Sequence, residues 1–531
     1  MKKTLIGLLI IAAGFVSLAA QEEAEQAPAA TPPAAPALTF EEALQAVVEN
    51  SADIQLKKAA VQEAQGRLLS AKAGTDFTIG ADAAYNRNHT PYGNDPYYGA
   101  NGIDDVQNDS IKTSIWAKKT FSFGLSTKIS AGINSTLGYY KGPKGDEYNK
   151  TYGDEFTNRG TIALELSLPL FKSFKNAILA NNIQAAKDYC AQLEFELLDT
   201  ICQTLQSAAA AYWEYHTAHR QVQHYEEMLK NLQDRINSMD KLIAAGARTK
   251  NDLLSLQVNI ISNERSLLSS KVEFNEIKLK LQKMMGTQEE IGIPEYDFPE
   301  INFESFNIPT TEKIDGEFIE KTISKRPDIL SLQKRLDCAR SNLTLAVAQG
   351  RPDLALNLSL GETGAVYGES AGGFFTSLFR NVSGANFGGG LSFSMSLPNN
   401  AKKGAVQSAE ALCTQASVQL NQAKQTLALQ LRNTVFNLNN YKIQVQNANS
   451  ALEMQKQLYA NEQRRFNSGL ITVDDMINQD REYLLAKYQY YLIMTTFLQN
   501  IMQYKYFSGT LAEITNGDAS VLRKESLYSL Q

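Results

Sequence analysis

From Phe40 to Ala73 apolar residues recur every three or four positions, at Ala43, Val47, Ile54, Val61, Ala64, Leu68 and Ala71. This spacing predicts a helix over 39–73 that Gly74 ends. The period then changes to two. Phe77, Ile79, Ala81, Ala83 and Tyr85 alternate with polar or small residues, residues 111–117 alternate again, and so do Phe121, Phe123, Leu125, Ile129, Ala131 and Ile133. The cleanest strand sets Ile162, Leu164, Leu166 and Leu168 against Ala163, Glu165 and Ser167, and leaves through Ser167-Leu168-Pro169. Residues 89–110 and 139–157 carry only the Tyr, Gly, Asp and Asn chemistry of loops. No proline then occurs before Pro294, so a helix over about 175–245 would run on the order of 105 Å. Gly246 breaks it, and a second helix spans Thr249 to Met285.

The same plan returns. With Asp328-Ile329 laid over Asp53-Ile54, Ala339 falls on Ala64, Leu343 on Leu68, Ala346 on Ala71 and Ala348 on Ala73 without a gap. Gly350 and Pro352 end this helix, Leu354, Leu356, Leu358 and Leu360 alternate, and Leu391, Phe393, Met395 and Leu397 return to a second exit, Ser396-Leu397-Pro398. A long seam from Ala405 through Leu452 follows, then Gly469, Thr472 and Asp475, which repeat the spacing of Gly246, Thr249 and Asp252. The chain is an internal duplication. Its organisation reads as a signal peptide (1–20), an Ala/Pro-rich linker (21–38), a first repeat (39–286), a linker (287–317), a second repeat (318–512) and a C-terminal tail (513–531). Within the repeats the expected parts are helix 39–73, strands and loops 76–170, helices 175–285, then helix 318–349, strands 353–398 and helices 401–511.

Composition narrows the class. The chain has 531 residues, a formal net charge of −6 and, beyond the signal, no apolar run long enough for a membrane-spanning helix. An inner-membrane helical protein is excluded, and nucleic acid is not an expected partner. Cys190, Cys202, Cys338 and Cys413 all fall in helical patterns; the first two cannot bridge, and a Cys338–Cys413 bridge is left open. His216, His219 and His224 share one helix with no carboxylate cluster beside them, and read as a solvated face rather than a metal site. No nucleophile triad, phosphate loop or zinc spacing occurs, so no catalysis and no cofactor are expected.

The strands force an assembly. Their apolar faces have no helix to cover them, so lipid is the natural partner, yet one chain has too few strands to close a membrane barrel. Several copies must share one barrel, with the helices forming a coaxial cylinder beneath it. The runner-up is a periplasmic or surface coiled-coil protein of structural or adhesive function; alternating strands with long loops weigh against it.

At this point the pattern resembles the TolC outer-membrane efflux protein family over residues 39–512. The likeness rests on Arg326-Pro327-Asp328-Ile329 with Ala346 and Pro352, the two Ser-Leu-Pro exits, both G-x-x-T-x-x-D turns, and Tyr490 to Leu511. It implies a mainly α fold with transmembrane β: a homotrimer with one 12-strand β-barrel continued by a 12-helix periplasmic coiled-coil tunnel. It implies a passive outer-membrane exit duct for efflux or type I secretion, opened by docking of a periplasmic adaptor and an inner-membrane pump of the RND, ABC or MFS type. The strand pair around 111–137 departs from the family pattern, inside the barrel or outside it.

The resemblance also assigns the turns. Ala245, Gly246 and Ala247, with Ser468, Gly469 and Leu470, become adaptor-docking tips. Thr249 and Thr472 are helix caps, each answered by an acid three residues on, Asp252 and Asp475. The resemblance adds that Asp475, with Asp252, lies at the periplasmic aperture. Ile471 and Asn478 stand where the family carries charge, so the closed-state link is weaker or different here.

Overall fold

The computed structural model describes residues 37–93, 95–99, 101–153, 157–171, 177–244, 249–294, 298–299, 301, 308, 316–367, 383–515 and 523–529; the predicted signal peptide and nearly all of the predicted linker lie outside them. The first repeat begins with α1 (Phe40–Asn50) and α2 (Ala52–Lys72), continues through strands β1 (Phe77–Pro91), β2 (Asp105–Thr120), β3 (Ser126–Lys141) and β4 (Thr157–Pro169), and ends with α3 (Ala177–Ala244) and α4 (Lys250–Met285). The second has α5 (Gly316–Ile323), α6 (Pro327–Gln349), β5 (Asp353–Tyr367), β6 (Ser383–Ser394), α7 (Asn400–Asn467) and α8 (Val473–Phe507), closed by short α9 (Thr510–Thr515) and α10 (Lys524–Tyr528).

Each predicted entry helix is broken, and at the same aligned place. Ser51 leaves helical geometry (φ −60°, ψ 120°) and its hydroxyl accepts from the amide of Ile54, so it starts α2 rather than continuing α1. Arg326, on the duplicate position, is extended, and Pro327 starts α6, where its missing N–H costs nothing. Helices 39–73 and 318–349 are therefore two pieces each. The second pieces pack along the long helices, α2 on α3 and α6 on α3 and α7, while α1 packs on α3 and α4. The wall runs α2 with α4, then α3, then α6 with α8, then α7.

All six strands form one antiparallel sheet in chain order, β4 pairing β5 across the two repeats. The pair around 111–137 thus joins the sheet. The alternation read from Phe121 onward is not one strand: Gly124 at φ 101° lets the chain reverse over 121–125, with the amide of Phe121 donating to the carbonyl of Leu125 at 2.8 Å. The apolar run crosses a turn because Phe121, Phe123 and Leu125 happen to keep the odd spacing. β6 likewise stops at Ser394, before Met395 and Leu397, and Asn399 at φ 59° turns the chain into α7.

The main core lies midway along the helices. Phe40, Tyr212, Trp213, Tyr215, Phe497 and Tyr528 are buried there, drawn from α1, α3, α8 and α10. The tail is part of this core: Lys505 Nζ donates to the carbonyl of Ser526 at 2.6 Å, and Tyr528 is buried. The histidines are covered rather than solvated, which corrects the solvated-face reading. His216 and His224 are buried and His219 is half-buried; His216 packs against the rings of Trp213 (5.6 Å) and Phe298 (4.6 Å). Burial, with Lys487 nearby, pushes His224 down to about 4, so it is neutral at physiological pH. The four cysteines are free; Cys338 Sγ donates to the carbonyl of Ala185 at 3.4 Å.

Beside the core sits a polar knot. Tyr506 hydroxyl donates to Asp199 Oδ1 at 2.9 Å, Gln203 Nε2 donates to Asp199 Oδ2 at 2.9 Å, and Arg326 forks onto Asp328 at 2.8 and 2.6 Å. Burial, then the charge of Asp328, push Asp199 up to about 6. A carboxylate raised in the folded state binds its proton above the unfolded value of about 3.9, so stability falls as pH rises through that window. Asp199→Asn should therefore gain melting temperature relative to wild type between pH 4 and pH 6.5; a difference independent of pH would remove this assignment.

Candidate functional site

Two surfaces can do chemistry or transport: the two faces of the sheet and the far end of the helices. The registers sort every strand residue onto a face. One face carries Phe77, Ile79, Ala81, Ala83 and Tyr85 of β1 beside Ala117, Ile115 and Ile111 of β2. It continues through Ile129, Ala131 and Ile133, Leu164 and Leu166, Leu358 and Leu360, then Phe387 and Leu391. Ile79, Ile115, Leu360, Phe387, Leu391 and Phe393 are all exposed in one copy, with no protein layer over them. An apolar band of this kind, with Lys119 and Glu362 also on its face, has the pattern of a barrel's outer surface.

The opposite face is polar. Thr78, Lys118, Lys128, Glu165, Ser359 and Gly388 lie in one row across it. Long connections sit at one end and the tight 121–125 turn at the other, beside the helices, where β2 touches the turn 73–75. This is the asymmetry of an outer-membrane barrel.

At the other extremity the hairpin turns differ in what can be described. Ala245, Gly246 and Ala247 lie outside the described residues. The second turn is complete. Gly469 takes φ 74° after Ser468; its amide donates to the carbonyl of Phe466 at 3.0 Å and that of Leu470 to Arg465 at 2.9 Å. This double closure satisfies the last carbonyls of α7 and leaves Leu470 exposed, 70% accessible. Thr472 then caps α8: its hydroxyl accepts from the amide of Asp475 at 3.1 Å, and Asp475 Oδ2 accepts from the amide of Thr472 at 3.1 Å. Thr249 and Asp252 form the same reciprocal box on α4, at 3.3 and 2.8 Å. The hydrogen bond from Thr472 holds Asp475 below its ordinary value, so the carboxylate is charged and exposed at neutral pH.

Behind the turn lies a pair that sequence reasoning missed. The Arg235 guanidinium of α3 clasps Asp480 of α8 with both nitrogens, one contact being Nη2 to Oδ1 at 3.0 Å, and both side chains are nearly buried. Met228, Leu232, Met239, Leu256, Val473 and Ile477 pack around the same end. The signal was present: Asp480 follows Met476 by four and Ile477 by three, so an acid stood on the buried stripe of α8. Ser255 of α4 also donates to Asp474 Oδ1 at 2.5 Å, tying the two repeats together. Among the described residues no group of three or more His, Cys, Asp or Glu could hold a metal ion.

The outer membrane efflux protein family model matches residues 43–287 and 318–500, one segment in each repeat. The fold is similar to the CmeC outer membrane channel of Campylobacter jejuni, with TM-score 0.62 and 14% identity, covering 91% of this chain and 89% of that one. It is similar to the outer membrane protein VceC of Vibrio cholerae, with TM-score 0.58, 16% identity and coverage of 88% and 96%. It is also similar to CusC, with TM-score 0.59, 14% identity and coverage of 92% and 98%. No curated protein matches the chain in sequence.

Proposed function

Because the chain belongs to the outer membrane efflux protein family, we propose that three copies of it form the exit duct of an export machine whose other parts are a periplasmic adaptor and an inner-membrane pump. The protein itself is an outer-membrane efflux channel with a long periplasmic helical extension, and it is not an enzyme.

The observation that carries the assembly is that the same two sides are open at every level. β1 and β6 are the edges of the sheet, and the helical wall likewise ends in α2 with α4 on one side and α7 on the other. Those outer helices expose apolar ridges: Leu254, Val258, Ile261, Leu268, Val272 and Leu279 on α4, and Leu412, Val418, Leu429, Phe436, Ile443 and Met454 on α7. The α4 ridge keeps a spacing of three, four and seven, the seam of a coiled coil. A neighbouring copy that pairs β6 with β1 brings α7 against α2 and α4, so one seam closes barrel and tunnel together. Four helical columns from each of three copies give the twelve-helix tunnel.

The acids and turns then take their places by this reading. Asp475 from each copy rings the narrow end, with Asp252 on the companion turn; Ser468, Gly469 and Leu470, with Ala245, Gly246 and Ala247, meet the adaptor. RND, ABC and MFS pumps, and type I secretion, are all compatible partners. Reconstitution in planar bilayers tests the channel: a trimer that conducts is expected, and a water-soluble rod without conductance would sink the reading in favour of a structural or adhesive rod. Asp475→Asn should lower cation preference or block by multivalent cations. It should also weaken the cap of α8. That stabilisation is present above the ordinary aspartate value of about 3.9 and lost as pH falls through the depressed folded value. Unchanged selectivity would leave Asp475 a capping role alone.

A further inference from the structure

The hairpin β2–β3 is built into the sheet. Its ladders run from Phe77↔Lys119 to Pro91↔Asp105 on one side and from Ser126↔Ser167 to Thr136↔Thr157 on the other, so β1 and β4 are held apart by two full strands. The seat is specific. Trp116 faces Gly80 across the ladder, where a Cβ would strike its ring, and its indole N–H donates to Asp82 Oδ2 at 2.8 Å. An aromatic ring laid over a strand glycine pins register. At the near end Phe121 and Phe123 stack at 5.6 Å, with Lys119 Nζ 5.7 Å over Phe121, an aromatic anchor at the height of a membrane interface.

The apolar band also tilts as a barrel wall must. The row through Phe77 passes Lys119, Thr127, Leu166, Leu358 and Gly389. On β1 the band lies on and beyond this row, up to Tyr85, whereas on β5 and β6 it reaches back toward the helices to Leu354, Leu356, Leu391 and Phe393. Strands inclined to the barrel axis give this displacement, and a flat surface sheet does not.

The hairpin also sets the charge of the inner face. Its inward residues include Lys112, Lys118 and Lys128 and no acid. The other four strands place Arg159 inward against Asp82, Glu165 and Asp353. Without the hairpin that wall is acidic; with it the wall is basic. Lys118 stands directly opposite Lys128, whose Nζ is 3.7 Å from Glu165. Like charges opposed on a ladder are tolerated where water fills the space in front of them.

We propose that β2–β3 is a pore-lining insert, so that three copies joined β6 to β1 close an 18-strand barrel whose basic lumen lies in series with the acidic mouth at Asp475 and raises the share of anions carried. This rests on the trimeric reading above. Six strands from each of three copies replace the twelve that the family resemblance implied. Barrels of about 16–18 strands enclose an open aqueous lumen, so the barrel is a wide vestibule and the helical mouth is the narrow point.

Electron cryomicroscopy of the purified channel in lipid nanodiscs tests the geometry. Eighteen strands around a three-fold axis are expected; a trimer with twelve strands and the hairpin off the wall would overturn the inference and leave the trimer intact. A particle that is not a trimer would defeat the functional reading itself. The charge is tested by the triple variant Lys112→Gln, Lys118→Gln, Lys128→Gln in bilayers under a potassium chloride gradient. The chloride-to-potassium permeability ratio should fall at least two-fold. Lys112→Gln alone, which breaks no ion pair among the described residues, should move it in the same direction by less. Unchanged ratios in both variants would overturn the lumen assignment of the lysines.

Discussion

Trp213→Ala is expected to destabilise the folded chain by about 3–5 kcal/mol, the range for truncating a large buried aromatic. Trp213 is fully buried. Its ring stacks on Phe40 at 5.5 Å and on Phe298 at 5.5 Å, and meets Tyr212 at 5.2 Å and Tyr528 at 5.9 Å edge-on. Its indole N–H donates to the Tyr528 hydroxyl at 2.5 Å. Four stretches far apart in the chain therefore meet on one side chain, and the cavity left by alanine cannot collapse without moving all of them. Release of α10 should follow, seen as new tryptic cleavage at Arg523 and Lys524. Trp213→Phe keeps most of the packing, loses the N–H, and should cost far less. A loss under about 1 kcal/mol for the alanine variant, measured by denaturant unfolding in detergent, would show that this cluster does not hold the middle of the wall together.

The second large effect is expected at Arg235 and Asp480. Removing either partner leaves the other charge nearly buried without compensation, a cost of about 3–5 kcal/mol. Two further groups face the pair, the Phe466 ring 5.8 Å from the guanidinium carbon and the Tyr459 hydroxyl, and neither carries a charge that could replace the lost partner. Replacing both, as Arg235→Met with Asp480→Leu, should restore most of the loss, because apolar residues of similar volume suit the surrounding Met, Leu and Ile side chains. Hydrogen exchange along α8 near Val473–Asp480 is the local readout. If the double variant is no better than the sum of the singles, the pair is not coupled and the mouth is held by packing alone.

Much of this was legible in one sequence. The periods of 3.6 and 2 placed the long helices and most strands, because a half-buried element must alternate with its own geometry. The repeat of Gly246, Thr249 and Asp252 at Gly469, Thr472 and Asp475 pointed to two hairpins, since a left-handed glycine and a capping box act over four residues. The breaks at Ser51 and before Pro327 were harder to see, because apolar spacing continues through them while the backbone leaves helical angles. The reversal at Gly124 was hidden for the same reason. The histidines of α3 were misread because residues far away in the chain cover them, Phe298 over His216, Phe274 over His219 and Lys487 beside His224.

The sequence by itself determined what acts over short range: helix, strand, cap, turn, the duplicated plan, and an apolar strand face that no helix of the chain is placed to cover. Tertiary structure decided which elements are neighbours. It set β4 beside β5 across the repeats, brought Arg235 to Asp480, and placed β2–β3 within the sheet between β1 and β4. Periodicity states which face of an element is apolar, but the choice of partner depends on ladders, ring seats and ion pairs between residues remote in sequence, and these exist only once the chain has folded.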